Sequence, residues 1–169
     1  MFGQDPAEKG YLRFFYRDWH PTRVGRLWTR LCSWIAGFGL IPALVTLQVK
    51  DRKTGELYAH VLLSAWYEGQ RYLVSMLGEG SAWVQDLRAS SGAAFIKRVK
   101  SHPVTITEIP AAQRAPILKV WTQSATSGRK HLPVSPDAPL AQFESIAAEY
   151  PVFRIEEHSR YWLDGLKML

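Results

Sequence analysis

From Val45 onward the chain alternates between two hydrophobic periods. In Val45-Thr46-Leu47-Gln48-Val49-Lys50 apolar and polar residues exchange at every step, the pattern of a half-buried strand. The polar run Asp51 to Glu56 reads as a turn, and Leu57 to Trp66 as the returning strand. Glu68-Gly69-Gln70 is a tight connection into a third strand, Arg71 to Leu77, which Gly78-Glu79-Gly80-Ser81 breaks. Ser81 can cap a short helix over Ala82 to Ala89 that stops before Gly92. Ala93 to Val99 and Val104 to Ile109 then read as a hairpin joined through Lys100 to Pro103. Gln113 to Trp121 reads as a helix, with Pro116 tolerable only in its first turn. Leu140 to Glu149 reads as a further helix and Pro151 to Glu156 as a closing strand.

The ends follow the helical period. Val24, Leu27, Trp28, Leu31, Trp34, Ile35 and Phe38 recur at three- and four-residue steps and predict an amphipathic helix over 22–38, flanked by Arg23, Arg26 and Arg30. Such a stripe can pack on the body of the protein or lie in a membrane surface. Residues 160–169 can add a terminal helix. The expected organisation is an extension over 1–40, a core domain over 41–157 and a second extension over 158–169. Antiparallel strands with helices set among them imply an α+β fold, and six strands can curl into a barrel. Thr122 to Pro139 is a loop dense in Ser, Gly, Pro and Lys, long enough to act as a lid or binding loop.

Composition narrows the function. At 169 residues, 47% hydrophobic and 21% charged, the chain has the make-up of an ordinary globular domain. Its net charge of +6 attracts anions: nucleic acid, acidic lipid or a phosphorylated cofactor. Neither a basic run nor a zinc-finger spacing accompanies that charge, so nucleic acid is not an expected partner. Met1 to His20 carries no signal-peptide core and no apolar run reaches bilayer length, which points to the cytoplasm, with the inner face of the plasma membrane as the site of any contact through 22–38. The lone cysteine, Cys32, and five histidines without ligand spacing support no metal site.

Two stretches offer chemistry. Arg52-Lys53-Thr54-Gly55 sets two cations, a hydroxyl and a flexible backbone together, either a solvated hairpin turn or a holder of phosphate or carboxylate. Gly78-Glu79-Gly80-Ser81, entering Ala82-Trp83, offers free N–H groups at a helix start, or is a plain strand-to-helix connection. Tyr58, His60 and Ser75 are candidate proton donors, and none can be chosen from sequence.

The ordered set of motifs resembles the deazaflavin-dependent nitroreductase family, also described as quinone reductases. Arg52-Lys53-Thr54-Gly55 is similar to that family's GRKTG turn, and Arg71-Tyr72-Leu73-Val74 precedes a glycine-containing loop. Ala82 to Ala89 is similar to its W-x-x-N-L-R-A helix, and Tyr150-Pro151-Val152-Phe153-Arg154-Ile155 to its closing H-P-V-F-R-I strand. The resemblance implies a six-stranded antiparallel split β-barrel of the FMN-binding type with flanking helices. It implies coenzyme F420, with FMN as the alternative, and a quinone or nitroaromatic acceptor. Arg52, Lys53, Thr54 and Gly55 would meet the anionic tail; Ser75, Met76, Gly78 and Gly80 would border the ring, backed by Trp83 and Arg88. The chain departs from the pattern at Asp51 (glycine in the family), Tyr58 (arginine), Val61 (proline) and Asp86 (asparagine). These departures keep a second reading open: a non-catalytic barrel that carries a flavin, a haem or a lipid. The oligomeric state has no sequence signature.

Overall fold

The computed structural model describes residues 16–17, 20–21, 43–97, 100–125 and 128–157. The amphipathic helix read over 22–38 and the terminal helix read over 160–169 lie outside the described residues. A short antiparallel pair, β1 (Tyr16–Arg17) and β2 (His20–Pro21), precedes the main body.

Six antiparallel strands close into a barrel: β3 (Leu44–Lys50), β4 (Leu57–Tyr67), β5 (Gln70–Val74), β6 (Ala93–Lys97), β7 (Ser101–Glu108) and β8 (Val152–Glu157), in spatial order β3-β4-β5-β8-β7-β6. Thr46–Gln48 pairing with Phe95–Lys97 closes the ring. Closure removes most of the free edge that six separate strands would expose and so limits their tendency to template aggregation. Among the described residues three α-helices pack with it: α1 (Ala82–Ala89), α2 (Ala111–Ser124) and α3 (Leu140–Ile146). The α+β barrel expected from the strand pattern is therefore the observed architecture.

Alternation along the strands builds two cores. Val45, Leu47 and Val49 of β3, Ala94 and Ile96 of β6, and Val104 and Ile106 of β7 point into the barrel. There they meet Trp83, Val84 and Leu87 of α1, which plugs one end. Phe153 of β8 is fully buried in this core and stands edge-on to Trp83, ring centres 5.2 Å apart. The second core lies outside the barrel wall, where Ile117, Leu118 and Trp121 of α2 and Phe143 of α3 cover Ala65, Tyr72, Val74 and Val152.

Several boundaries differ from the sequence pattern. β5 ends at Val74, three residues early, because the chain leaves the ladder to form the loop beside α1. β7 starts at Ser101 and includes Pro103, which pairs with Phe95 on one side only; β8 joins at Val104, so the missing N–H costs no ladder bond. Pro116 lies in the second turn of α2, not the first; the carbonyl it leaves unbonded belongs to exposed Ala112, where water can reach it. The stretch read as one long loop is part helix, since α2 runs to Ser124 and a 3-10 turn spans Arg129–His131. Leu132 and Ala138 are buried in the outer core.

Phe153 joins strand β8 to the helix that plugs the barrel. Phe153→Ala is expected to cost about 3–5 kcal/mol, read as a lowered midpoint in urea unfolding with an unchanged slope.

Candidate functional site

The barrel is split along β4. Residues Leu57–Leu63 pair with β3, whereas β5 pairs only with Ser64–Tyr67. The N–H of Ser64 donates to the Ala43 carbonyl on the β3 side at 2.7 Å. Because peptide groups alternate along a strand, those of Val61 and Leu63 face the opposite way, toward the position a longer β5 would occupy. The indole Nε1 of Trp121 donates to the Leu63 carbonyl at 3.0 Å instead. A side chain of α2 thus takes over the first bond that β5 fails to make.

A cavity of about 170 Å³ occupies this split. One wall is His60–Leu63 of β4, and a second is Val74, Met76 and Leu77 where β5 ends. The third is Ser81–Trp83 at the start of α1, and Trp121 faces it from α2. Leu62 packs on the barrel core and Leu63 on the outer core, so the slot runs along the seam between the two. Its volume is below the roughly 300–1,000 Å³ of sites that enclose a whole drug-sized ligand.

Hydrogen bonds within the 75–81 loop hold the second and third walls. The buried Ser75 hydroxyl donates to the Gly78 carbonyl at 2.7 Å and meets the Ser81 hydroxyl at 2.7 Å. Gly78 adopts φ +79°, and its N–H returns to the Ser75 carbonyl at 3.0 Å. Ser81 stands at the N-cap position of α1 as expected, yet makes no side-chain cap bond, because its hydroxyl is engaged with Ser75. The first two N–H groups of α1, on Ala82 and Trp83, have no carbonyl within the helix and lie at residues lining the slot.

Behind this loop stands an ion cluster. Arg88 pairs with Glu108 at 2.6 Å and with Glu79 at 2.6 Å. Buried Arg114 donates to the carbonyls of Ile109 and Ala147 at 2.7 and 3.1 Å and to Glu108 at 2.9 Å. The Arg88 hydrogen bond, aided by both guanidinium charges, holds the Glu108 carboxyl below its ordinary range against the opposing effect of partial burial. The same contacts raise the Arg88 guanidinium further above its already high value. Glu79 also accepts the Gln85 side-chain amide on its backbone carbonyl at 2.8 Å, so the loop is tied to α1 twice.

The turn at 51–55 is closed on itself. Asp51 is buried, and its Oδ1 accepts the N–H of Lys53 at 2.8 Å, the N–H of Thr54 at 2.7 Å and the Thr54 hydroxyl at 3.1 Å. Asp86 of α1, also buried, accepts the Arg52 N–H at 3.2 Å and its guanidinium at 2.7 Å. The Gly55 N–H goes to the Asp51 carbonyl at 2.9 Å. Every N–H from 52 to 55 therefore has an internal acceptor.

The residues singled out from sequence thus separate. His60, Met76 and Trp83 line the slot. Ser75 adjoins it with its hydroxyl engaged; Gly78 shapes the loop, and Gly80 is exposed at its tip. Arg88 belongs to the ion cluster, and Arg52 to Gly55 form the closed turn. Tyr58 donates to Glu56 at 3.3 Å. Trp121 and Leu63 escaped the sequence reading. The available signal was a tryptophan on an apolar helix face, whose N–H needs a partner when buried. Gly128 bears on the same pair: a Cβ there would come within 2.7 Å of the Trp121 ring and 3.0 Å of Leu63.

Trp121→Phe keeps an aromatic ring but removes the indole N–H and so orphans the Leu63 carbonyl. It is expected to cost about 1–3 kcal/mol in denaturant unfolding and to speed amide exchange along His60–Leu63. Glu108, with its folded value depressed, contributes stability that is complete above its unfolded value and lost as pH falls through the folded one. Stability should therefore decline below roughly pH 4, and Glu108→Gln should flatten that acid limb in a pH series of unfolding midpoints.

No family model matches the chain, and no curated protein matches it in sequence. Solved structures similar to it include an F420-H2 dependent reductase, FDR-A, at 18% identity over 68% of this chain and 94% of that one, TM-score 0.44. HutZ, the heme storage protein from Vibrio cholerae, is similar at 7% identity over 73% and 87%, TM-score 0.47. A conserved hypothetical protein from Mycobacterium tuberculosis is similar at 12% identity over 85% and 84%, TM-score 0.46. Similarity at this level leaves open what the chain binds.

Proposed function

We propose that the protein is an oxidoreductase whose slot holds the flat ring of a flavin-type cofactor for the reduction of a small acceptor, a quinone or a nitroaromatic compound. The observation that carries this reading is the slot itself, a narrow cavity with apolar walls and unspent peptide donors at one end. Coenzyme F420 is the ring that the motif resemblance implies, with FMN as the alternative. When bound, such a ring supplies hydride transfer.

The ring end fits this chain. Val61, Leu63, Trp83 and Trp121 exclude water from two sides, and the N–H groups of Ala82 and Trp83 suit the polar edge of a ring. His60 is the one titratable side chain among the described lining residues, and we assign it to hold the proton delivered to the reduced acceptor. The tail end does not fit where the resemblance puts it, because Asp51 and Asp86 already occupy the donors of the 51–55 turn. That occupancy favours a second reading, a barrel that carries a flavin, haem or lipid without turnover.

Titration of the full chain with oxidised deazaflavin and, separately, with FMN should give a saturable change in ring fluorescence. Failure of both rings to bind ends the proposal. With reduced ring and a quinone supplied, His60→Gln should lower turnover about 10²–10⁴-fold while ring affinity stays within about threefold. Binding with no turnover in the unaltered protein selects the carrier reading.

A further inference from the structure

The turn at 51–55 has the parts of an anion site: two cations, a hydroxyl and four successive backbone N–H groups. It also lies within reach of the slot. Asp86, which bonds to Arg52, follows slot-lining Trp83 by three residues on α1, roughly 5 Å along the helix axis. A ligand seated by its ring at the start of α1 could extend a charged tail alongside the helix to this turn.

The turn has instead been supplied with anions from within. The Asp51 carboxylate collects three donors from Lys53 and Thr54, and Asp86 collects two from Arg52. Asp86 comes from a helix 34 residues away in sequence, so this is tertiary structure and not the ordinary self-closure of a hairpin. Two acids set against two bases leave the turn with no net charge. Both acids are buried, at 4% and 2% exposure, so a phosphate taking these donors from solvent would have to break their bonds and leave two buried carboxylates short of donors.

We propose that Asp51 and Asp86 are built-in counter-anions that close this turn to phosphate, so that a ligand in the slot is held by its ring and not by a phosphorylated tail. The second half of the statement rests on the reading of the slot given above; the first half does not. The ligand class that follows is a flat ring compound whose affinity is indifferent to a terminal phosphate, and the two acids are the specificity-determining residues.

The test has two independent arms on the full chain. In the first, inorganic pyrophosphate is titrated while the backbone amide resonances of Arg52, Lys53 and Thr54 are followed. They should stay still in the unaltered protein and shift saturably in the isosteric double variant Asp51→Asn/Asp86→Asn, with affinity raised at least about tenfold. A saturable shift in the unaltered protein overturns the proposal, as does a folded double variant that gains nothing. If the double variant does not fold, Asp86→Asn alone, which keeps the Asp51 bonds and uncovers only the Arg52 charge, should still give a saturable shift at the Arg52 amide, and its absence overturns the proposal. In the second arm, riboflavin and FMN should bind the unaltered protein with affinities within about threefold of each other, whereas FMN should gain at least about tenfold in the variant. A strong preference of the unaltered protein for FMN overturns the second half. Binding of neither removes the ring reading of the slot, and the pyrophosphate arm still decides the first half.

Discussion

A single hydrogen bond sets the geometry on which the slot depends: the indole of Trp121 bonded to the Leu63 carbonyl where the β4–β5 ladder stops. A strand edge with unpaired peptide groups is unstable against pairing, and β5 could in principle extend along β4 and close the barrel wall. By supplying a donor from α2, Trp121 satisfies the first carbonyl of that edge without a strand. The residues after Val74 are then free to turn toward α1, and the space between becomes a cavity.

Everything around the split reinforces it. β4 has one flank on each core, Leu62 toward the barrel interior and Leu63 toward α2, so neither side of the slot can relax independently. The 75–81 loop is bound to itself through Ser75 and Ser81, and to the helices through Glu79, Arg88, Glu108 and Arg114. In a partly exposed cluster of this kind single pairs contribute little to stability, typically under about 1 kcal/mol each. Its value is positional, because Arg114 carries the restraint into buried backbone carbonyls.

The serine hydroxyls illustrate how one interaction decides the availability of another. Ser81 stands where a capping serine belongs, yet its hydroxyl is turned to Ser75, which leaves the leading peptide donors of α1 unspent beside the cavity. At the 51–55 turn the economy is reversed. There the peptide donors are all spent, three on carboxylates the chain itself provides and that of Gly55 on the Asp51 carbonyl. The start of α1 is thus open to a polar ligand edge, whereas the turn that bonds to Asp86 midway along the helix is neutralised.

The barrel was legible in the sequence because its cause is local. Alternation in Val45 to Lys50, the Glu68-Gly69 turn with both residues at positive φ, and the eight-residue span of α1 follow from period and turn chemistry that act over a few residues. His60 could be named as a candidate from its place on the second strand, and Met76 and Trp83 through the motif resemblance. What tertiary structure alone decided was which donors and charges remain unspent. The cation pair at 52–53 looks the same in sequence whether or not a buried aspartate 34 residues away compensates it, and Asp86 declares its partner only when α1 plugs the barrel. Likewise, no period foretells that Trp121 ends a ladder 58 residues earlier in the chain. Hydrophobic patterning is summed along the chain, whereas hydrogen-bond and charge compensation is settled between segments that only the fold brings together.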